Sequence, residues 1–345
     1  MSRGKVLVGM SGGVDSACAV RLLLEAGYEA VGAVLVFSPH TDIEPALRAA
    51  RELGVRLVVE DVQEEFRRQV ISDFVAEYAA GRTPNPCVLC NRSVKMETLL
   101  RLSYREKCDF FATGHYVRVA SLANRRFALG RAADFRKDQS YMLWGMTQEQ
   151  LSRFMAPLAE LTKDSVLGRA QNAGLSSAGA GESQDICFIP DGDYISFLLR
   201  NGAPSEAFAP GDFVGKDGRF LGRHEGIARY TVGQRKGLGI ALGYPAFVTA
   251  IDPETKKITL SPKEGCLSSS MKVDSPVFQG MEKAEGRFSL KVKIRYAAPP
   301  VPCEVTIAGE KIEAFFEEPQ RCPAPGQSAV FYRDDLVMFG GRILG

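Results

Sequence analysis

Histidine and tryptophan are scarce in this chain, and long apolar runs are lacking. The 345 residues include only three histidines, His40, His115 and His224, so a histidine-rich metal site is not expected. No apolar run approaches the roughly 18 residues that a membrane-spanning helix needs. The first residues lead straight into an apolar segment without a signal-peptide pattern. We therefore expect a cytoplasmic protein that has no membrane partner.

Charge of one sign is not in excess either. The chain has 43 lysines and arginines against 41 acidic residues, a formal net charge of +2. This balance excludes a protein that binds nucleic acid through charge alone, but it leaves room for local basic surfaces. The chain contains eight cysteines and has an intracellular character. We therefore expect thiols, metal ligands or catalytic sulfur rather than a disulfide framework.

Strand and helix patterns alternate in the first half of the chain. Apolar segments typical of strands are found at residues 5–10, 30–37, 55–59 and 110–113, and helical segments at residues 17–26, 44–53 and 64–80. Strands separated by helices indicate an α/β domain with a parallel, doubly wound sheet.

The second half is richer in glycine, proline and short alternating segments, beginning at about residue 201. Short strands with turn residues between them predict a small β-barrel or sandwich. We interpret residues 262–274 as a link within this half. The predicted division is an α/β domain (1–199), a small central domain (200–265) and a C-terminal β-barrel (266–345).

The sharpest local pattern is Ser11-Gly12-Gly13-Val14-Asp15-Ser16, between the first strand and the first helix. Adjacent glycines allow positive φ and leave room for an anion, and the helix that follows adds its positive end. The two serines can donate hydrogen bonds to phosphate, and Asp15 can either organise the loop or help to hold a metal ion. The hexapeptide therefore predicts a pyrophosphate-binding loop.

Other interpretations of this loop are weaker. A Walker loop requires a lysine after its last glycine, and a dinucleotide fingerprint requires G-x-G-x-x-G; neither pattern is present. A tight turn that binds no ligand remains the alternative. The hexapeptide resembles the PP-loop of the ATP pyrophosphatases, which cleave ATP between the α and β phosphates.

Further motifs occur downstream of this loop. They are GRTPNPCVLCNR at residues 81–92, ATGHY at 112–116, KDQSY at 137–141, GESQDICFI at 181–189, RYTVGQRKGLG at 229–239 and KIRY at 293–296. Together they resemble the tRNA-specific 2-thiouridylases, the MnmA family, almost from end to end. The resemblance implies an enzyme that adenylates the C2 oxygen of the wobble uridine of tRNA and replaces it with sulfur.

The resemblance also implies roles for individual residues. ATP, with Mg²⁺, would be bound by Gly9, Met10, Ser11, Gly12, Gly13, Val14, Asp15, Ser16, Leu35 and Gly114. The target base would be contacted by Asn85, Pro86 and Cys87. Other parts of the tRNA would be contacted by His115, Lys137, Asp138, Gln139, Arg295, Tyr296 and Gln327. Cys90 and Cys187 would be the catalytic pair that transfers sulfur.

Sulfur chemistry explains why such residues are needed. Adenylation turns a poor leaving oxygen into AMP, so that a sulfur nucleophile can attack the carbon. In the commoner version that the resemblance implies, Cys187 receives a persulfide from a carrier protein and Cys90 resolves the intermediate. Thiolate character is required at both positions, and Arg92 or Lys95 is a candidate for the nearby cation.

Cys87 departs from the family pattern, which commonly has an aspartate there. The resulting Cys-x-x-Cys, together with Cys187, resembles the three-cysteine sites of tRNA thiolases that hold a [4Fe–4S] cluster. The hypothesis is that Cys87, Cys90 and Cys187 hold such a cluster, which delivers hydrosulfide. The alternatives are a structural zinc site, for which no fourth ligand is evident, a thioredoxin-like pair, and the persulfide route with Cys87 as a bystander.

Two rival functions stay open at this point. A PP-loop amidating ligase acting on a small molecule would keep the glycine loop but would not need Cys90 or Cys187. A non-catalytic nucleotide sensor or RNA-binding protein would bind ATP without releasing AMP and pyrophosphate.

Overall fold

The computed structural model describes residues 2–179 and 186–344. Residues 181–185, which form the first part of the GESQDICFI motif, lie outside the described residues. None of the helices in the two described segments combines the length and apolarity that a membrane crossing requires.

The N-terminal domain is built on a parallel sheet. The strands of this half are β1 (Lys5–Gly9), β2 (Glu29–Val36), β3 (Arg56–Asp61), β4 (Phe110–Thr113), β5 (Arg118–Ser121), β6 (Phe127–Gly130) and β7 (Phe154–Met155). The sheet order is β3-β2-β1-β4-β7, and its neighbouring strands are parallel. Val6 and Val8 face one hydrophobic cluster and Leu7 faces another, and all three are fully buried. A strand that is buried on both faces has apolar residues at consecutive positions, as the sequence of β1 does. The predicted doubly wound sheet is confirmed.

Helices cover both faces of this sheet. They are α1 (Val14–Glu25), α2 (Glu44–Leu53), α3 (Gln63–Phe66), α4 (Ser72–Ala79), α5 (Pro86–Cys90), α6 (Met96–Arg105), α7 (Gln148–Arg153) and α8 (Lys163–Asn172). A further helix, α9 (Tyr194–Arg200), packs against Phe74 of α4 through Phe197. Short π-helical segments, Arg67–Ile71 and Asn91–Lys95, join α3 to α4 and α5 to α6. The predicted helix at 64–80 is therefore observed as a continuous helical segment, from Gln63 to Ala79, that contains a π-helical turn.

The central domain is a small mixed sheet. Its strands are β8 (Gly211–Val214), β9 (Phe220–His224), β10 (Phe247–Asp252) and β11 (Lys257–Ser261), in the order β10-β11-β8-β9. Phe213 and Val248 are fully buried and share a hydrophobic cluster with Phe74 of α4. The central domain therefore packs directly on the N-terminal domain.

The C-terminal domain is a closed antiparallel barrel. Its strands are β12 (Leu267–Phe278), β13 (Gly286–Lys293), β14 (Val301–Ala308), β15 (Lys311–Arg321), β16 (Ser328–Arg333) and β17 (Leu336–Ile343). They run in the order β12-β15-β14-β13-β16-β17, and pairing of β12 with β17 closes the ring. The hairpin of β5 and β6 attaches to the barrel where Gly130 pairs with Leu336.

The segment that we interpreted as a link, residues 262–274, is more ordered than the sequence predicts. A 3₁₀ turn spans Lys263–Cys266, and β12 begins immediately after it, at Leu267. The run of serines at 268–270 lacks the alternation of apolar and polar residues that would predict a strand there. Only its later part shows the apolar alternation of a half-buried strand, with Met271 and Val273 each 2% exposed.

Candidate active site

The glycine loop connects β1 to α1 in a conformation that only glycine fits well. Gly12 has φ of 81°, and a Cβ there would lie 2.4 Å from Cβ of Pro45. Gly13 precedes α1 without any side chain capping the helix. The Ser16 hydroxyl donates to the Gly13 carbonyl oxygen at 2.9 Å and lies 3.3 Å from the Ser11 backbone nitrogen. The first turn of α1 therefore presents backbone N–H groups next to a compact loop.

Asp15 is fixed by two residues from distant parts of the chain. Nζ of Lys163 lies 2.8 and 2.7 Å from its two carboxylate oxygens, and the Tyr116 hydroxyl donates to Oδ1 at 2.7 Å. Lys163 is only 8% exposed. Of the two roles that the sequence left open for Asp15, these contacts favour organising the loop.

Gly114 brings the end of β4 against this loop. A Cβ at Gly114 would lie 2.6 Å from the Asp15 carbonyl carbon and 2.7 Å from the Ser16 nitrogen. The next residue, His115, has its Nδ1 2.7 Å from Oγ1 of Thr113. Desolvation, with a smaller effect from Lys95, lowers the pKa of His115 to about 3. The imidazole is therefore neutral at physiological pH.

The remaining residues predicted to bind ATP lie around the same sheet edge. Met10, Val14 and Leu35 are buried, so their side chains serve packing. A Cβ at Gly9 would meet Leu99 at 3.0 Å, which leaves little space under the loop. Because ligands bind at the carboxyl ends of parallel strands, this edge is the expected nucleotide site.

The second motif forms α5 and its start. Asn85 caps the helix by accepting a hydrogen bond from the Val88 nitrogen at 3.2 Å, and Pro86 occupies the first helical position. Cys87 is exposed at this end, whereas Cys90, one turn later, is 9% exposed. The Asn-Pro pair therefore sets the start of a short helix that carries both thiols.

Cys187 belongs to the same region as Cys87 and Cys90, because the next residue, Phe188, packs against the hydrophobic cluster that contains Cys90. Burial raises the pKa of each thiol, to about 11 for Cys90. Thiolates at Cys87 and Cys187 raise the pKa of Cys90 further, whereas Lys95 lowers the pKa of all three thiols. The same ammonium acts on His115, which follows the glycine that touches the PP-loop. The charge of Lys95 therefore acts both on the thiols and on His115 at the edge of the expected nucleotide site.

The two candidate cations differ in position. Lys95 ends the π-helical turn after Cys90 and makes no hydrogen bond or ion pair with other described residues. Arg92 instead stacks over the Trp144 ring at 5.8 Å, where burial lowers the pKa of its guanidinium. Of the two cations, Lys95 is thus the one whose charge lowers the pKa of the thiols.

The residues that the structure describes do not form a ready-made metal site in this conformation. Across residues 2–179 and 186–344, no group of three or more His, Cys, Asp or Glu side chains is arranged to hold a metal ion. The donor chemistry of three neighbouring thiols suits an iron–sulfur cluster. Binding one would require the thiols to converge further.

The 137–139 segment has more internal contacts than the predicted tRNA contact suggests. Asp138 is 2% exposed, and it accepts hydrogen bonds from the Ala132 nitrogen and the Ser140 hydroxyl. Oε1 of Gln139 accepts from the Tyr116 nitrogen at 2.9 Å. A direct contact between tRNA and the Asp138 carboxylate is not available in this conformation, because the group is buried. Lys137 is half-buried.

Residues of the barrel reach the same area. Tyr296 is 39% exposed, and its ring lies 6.2 Å from that of Tyr141. Arg295 donates to the Cys322 carbonyl oxygen at 2.9 Å. Nε2 of Gln327 lies 3.1 Å from the carbonyl oxygens of both Thr83 and Pro84. The donors of Gln327 are thus directed to the loop before α5.

Sequence reasoning missed Lys163, Tyr116 and Tyr141 as site residues. The Tyr141 hydroxyl donates to the Ser328 carbonyl oxygen at 2.9 Å and also interacts with Asn85. Tyr116 and Tyr141 belong to the motifs ATGHY and KDQSY, so their position inside those motifs was the available signal. Nothing in the local sequence distinguishes Lys163 from other lysines at helix starts.

Three family models cover nearly the whole chain. Residues 4–191 match the tRNA methyl transferase HUP domain, residues 197–262 the tRNA methyl transferase PRC-barrel domain, and residues 268–343 the aminomethyltransferase beta-barrel domain. The class defined by this fold and site is therefore a HUP-domain protein followed by two β-rich domains.

Individual relatives narrow this class. The tRNA-specific 2-thiouridylase MnmA of Lachnoclostridium phytofermentans is 42% identical over an alignment of 356 positions, which covers 99% of this chain and 99% of the relative. The enzyme of the same name from Carboxydothermus hydrogenoformans is 41% identical over 360 residues, covering 99% of this chain and 98% of the relative. The chain belongs to the tRNA-specific 2-thiouridylase MnmA family, so the family resemblance read from its motifs is confirmed.

The fold of this chain also has a slight likeness to a solved structure. A 4-thiouridine synthetase–RNA complex with bound ATP has a TM-score of 0.38 and 18% identity, over 57% of this chain and 50% of that chain. So slight a likeness carries no argument about function.

Proposed function

We propose that this protein is a tRNA-uridine 2-sulfurtransferase. It uses ATP to adenylate the C2 oxygen of the wobble uridine, releases pyrophosphate, and replaces that oxygen with sulfur to give 2-thiouridine and AMP. The observation that carries the proposal is a link between the glycine loop and the cysteine motifs. Gly114 touches the glycine loop, and its neighbour His115 lies within the electrostatic reach of Lys95, which also acts on all three thiols.

The glycine loop is proposed to bind the ATP phosphates. Backbone N–H groups at the start of α1 and the Ser11 hydroxyl would donate to the pyrophosphate, which must be held as it leaves. Mg²⁺ is proposed to enter with the phosphates, since Asp15 is already bound to Lys163 and Tyr116. This chain therefore binds and orients the nucleotide mainly through its backbone.

The substrate base is proposed to approach the start of α5, where Asn85, Pro86 and Cys87 lie. Tyr296, Arg295, Lys137 and Gln139 would contact the tRNA around it, and the central domain would extend this surface. Because the substrate is tRNA, we place the protein in the cytoplasm.

For the source of sulfur we propose a [4Fe–4S] cluster held by Cys87, Cys90 and Cys187. Such a cluster would supply an iron without a protein ligand, at which hydrosulfide can bind. Burial keeps the thiol pKa values high, so three thiolates side by side need compensating positive charge. Lys95 supplies only part of that charge.

The persulfide route uses the same residues differently. Exposed Cys187 would take a sulfur atom from a persulfide carrier protein, and its terminal sulfur would displace AMP from the base. The Cys90 thiolate would then attack the Cys187 sulfur, which frees the 2-thiouridine and leaves a Cys90–Cys187 disulfide. An external thiol reductant would return both residues to thiols.

The two routes differ in their need for Cys87. We would purify the protein anaerobically, measure iron and sulfide, and assay 2-thiouridine formation with labelled sulfide or with a persulfide donor. The cluster route predicts about four irons per chain, and loss of sulfide-dependent activity in Cys87→Asp. Activity of an iron-free protein with the persulfide donor, retained in Cys87→Asp, would contradict the cluster.

The overall function has a separate test. Release of AMP and pyrophosphate should depend on tRNA, and Cys90→Ser or Cys187→Ser should abolish 2-thiouridine formation while ATP binding persists. An amidating ligase would keep full activity in both variants, and a nucleotide sensor would release no AMP. Cys303→Ser is the matched control, because Cys303 is a buried thiol of the barrel.

A further inference from the structure

The loop that leads into α5 is held by residues of the barrel. It spans residues 81–85, between the end of α4 and the Asn85 cap, and it precedes Cys87 and Cys90 directly. Gly81 and Pro84 are buried. Backbone groups in such a loop cannot rely on water and need partners from the protein.

The turn at residues 325–327 supplies those partners. The Thr83 nitrogen donates to the Pro325 carbonyl oxygen at 2.8 Å. Nε2 of Gln327 lies 3.1 Å from the carbonyl oxygens of Thr83 and Pro84. The turn is itself tied to the end of β17, because Gly326 and Gln327 exchange backbone hydrogen bonds with Ile343. The loop is therefore docked on a firmly held part of the barrel.

A buried carboxylate also connects the loop to the barrel. Glu77 of α4 has a side chain only 5% exposed, and it forms an ion pair with Arg82 of the loop. Its Oε1 also lies 3.3 Å from Nη1 of Arg342 on β17. One carboxylate thus links the α4 helix, the loop and the barrel.

The loop at residues 81–85 and the turn at residues 325–327 are packed too closely to admit a side chain at Gly326. Gly326 has φ of 91°, and a Cβ there would lie 2.8 Å from the Thr83 carbonyl oxygen and 3.0 Å from Oε2 of Glu77. A side chain at this position would push the loop away from the turn. The contact is therefore close and specific.

We infer that Gln327 and Arg342 are positioning residues, through which the C-terminal barrel sets the conformation of the loop that presents Cys87 and Cys90. Gln327 then serves the reaction through the loop, because the N–H donors of its side chain are directed to the Thr83 and Pro84 carbonyl oxygens. The effect on turnover rests on the proposed function, whereas the effect on the loop does not.

The variant Gln327→Leu tests this inference, with Gln320→Leu as the matched control. Gln320 lies on the same barrel, and the hydrogen bond of its side chain is a local one to the Glu318 carbonyl oxygen at 2.9 Å. Amide hydrogen exchange, followed by mass spectrometry of peptides, reports the order of the loop without any substrate. We expect faster exchange in peptides covering residues 81–90 of Gln327→Leu, with β13 and β14 unchanged, and no change in Gln320→Leu.

Turnover provides the second measurement. Misplacement of the loop should lower kcat for thiolation roughly 10- to 100-fold, with KM for tRNA little changed. Arg342→Lys, which keeps a positive charge beside Glu77, should retain more activity than Arg342→Met. Unchanged exchange at residues 81–90, or faster exchange throughout the barrel, would overturn the inference. A raised KM with normal kcat would also overturn it, since that result indicates a tRNA contact. If the protein makes no 2-thiouridine at all, the exchange data still decide the role of the loop.

Discussion

Lys163 and Asp15 are 148 positions apart in the chain, yet the Lys163 ammonium bonds both carboxylate oxygens of Asp15, at 2.8 and 2.7 Å. The lysine is the first residue of α8, and the aspartate lies in the first turn of α1. The pair ties the phosphate-binding loop to α8, which packs beside α1 in the same hydrophobic cluster. The Tyr116 hydroxyl donates a third hydrogen bond to the Asp15 carboxylate, so the loop conformation is held before any nucleotide binds.

Replacement of Lys163 by methionine should loosen the loop. The Asp15 carboxylate would then lose a nearly buried partner, and we expect the free energy of unfolding to fall by about 1–3 kcal/mol, with weaker ATP binding. Urea denaturation and calorimetric titration with an ATP analogue measure the two effects. Lys163→Arg, which keeps the charge, should lose less. Stability and nucleotide affinity equal to those of the unchanged protein would rule out this role for Lys163.

Replacement of Gly114 by alanine should impair nucleotide binding through a backbone clash. The new Cβ would lie 2.6 Å from the Asp15 carbonyl carbon, so the loop or the end of β4 must shift. Overpacking of this kind costs about 1–3 kcal/mol. Gly168→Ala is the control, since its Cβ meets no atom within 4 Å. If both variants bound ATP equally well, the close approach of Gly114 would be irrelevant to the site.

His115 should make stability fall in mild acid. Its pKa is lowered from 6.5 to about 3 by burial, so between these values the unfolded chain takes up a proton that the folded protein refuses. The contribution of neutral His115 is complete above pH 6.5 and is lost as the pH falls, by at most about 1.4 kcal/mol per pH unit. Denaturation midpoints at pH 7.5 and 5.5 should differ less in His115→Gln than in the unchanged protein. His40→Gln, at an exposed position, should keep the original difference.

Lys95 should control thiol reactivity. Because its ammonium lowers the pKa of Cys87, Cys90 and Cys187, removing the charge in Lys95→Met raises those pKa values. The pH profile for alkylation of exposed Cys187 in reduced, metal-free protein should therefore move to higher pH, and Lys95→Arg should stay close to the original profile. A profile that does not move in Lys95→Met would show that the cation is too distant to matter.

The sequence predicts those parts of the fold that depend on residues close together in the chain. The apolar run of β1 and the glycine at position 54, which ends α2 with φ of 66°, are visible without any structure. β12 was hidden because serines interrupt its alternation. The attachment of the β5–β6 hairpin to β17 had no signal either, since pairing between distant segments depends on the assembled fold.

The candidate site divides in the same way. The glycine loop and the two cysteine motifs are short contiguous segments, so the sequence alone identifies them as candidate site residues. The Lys163–Asp15 pair and the Gln327–Thr83 contact depend on three-dimensional packing, and a lone lysine or glutamine carries no local mark of it. The burial of Asp138 is likewise a property of the assembled loop.

The most direct test of the central claim follows the uridine oxygen. We would prepare tRNA with ¹⁸O at the C2 position of the wobble uridine, and incubate it anaerobically with the protein, ATP, Mg²⁺ and a sulfur source. Attack of the base oxygen on ATP predicts that the label appears in AMP, in step with the formation of 2-thiouridine. AMP without label, or label retained in the tRNA while AMP accumulates, would contradict the account.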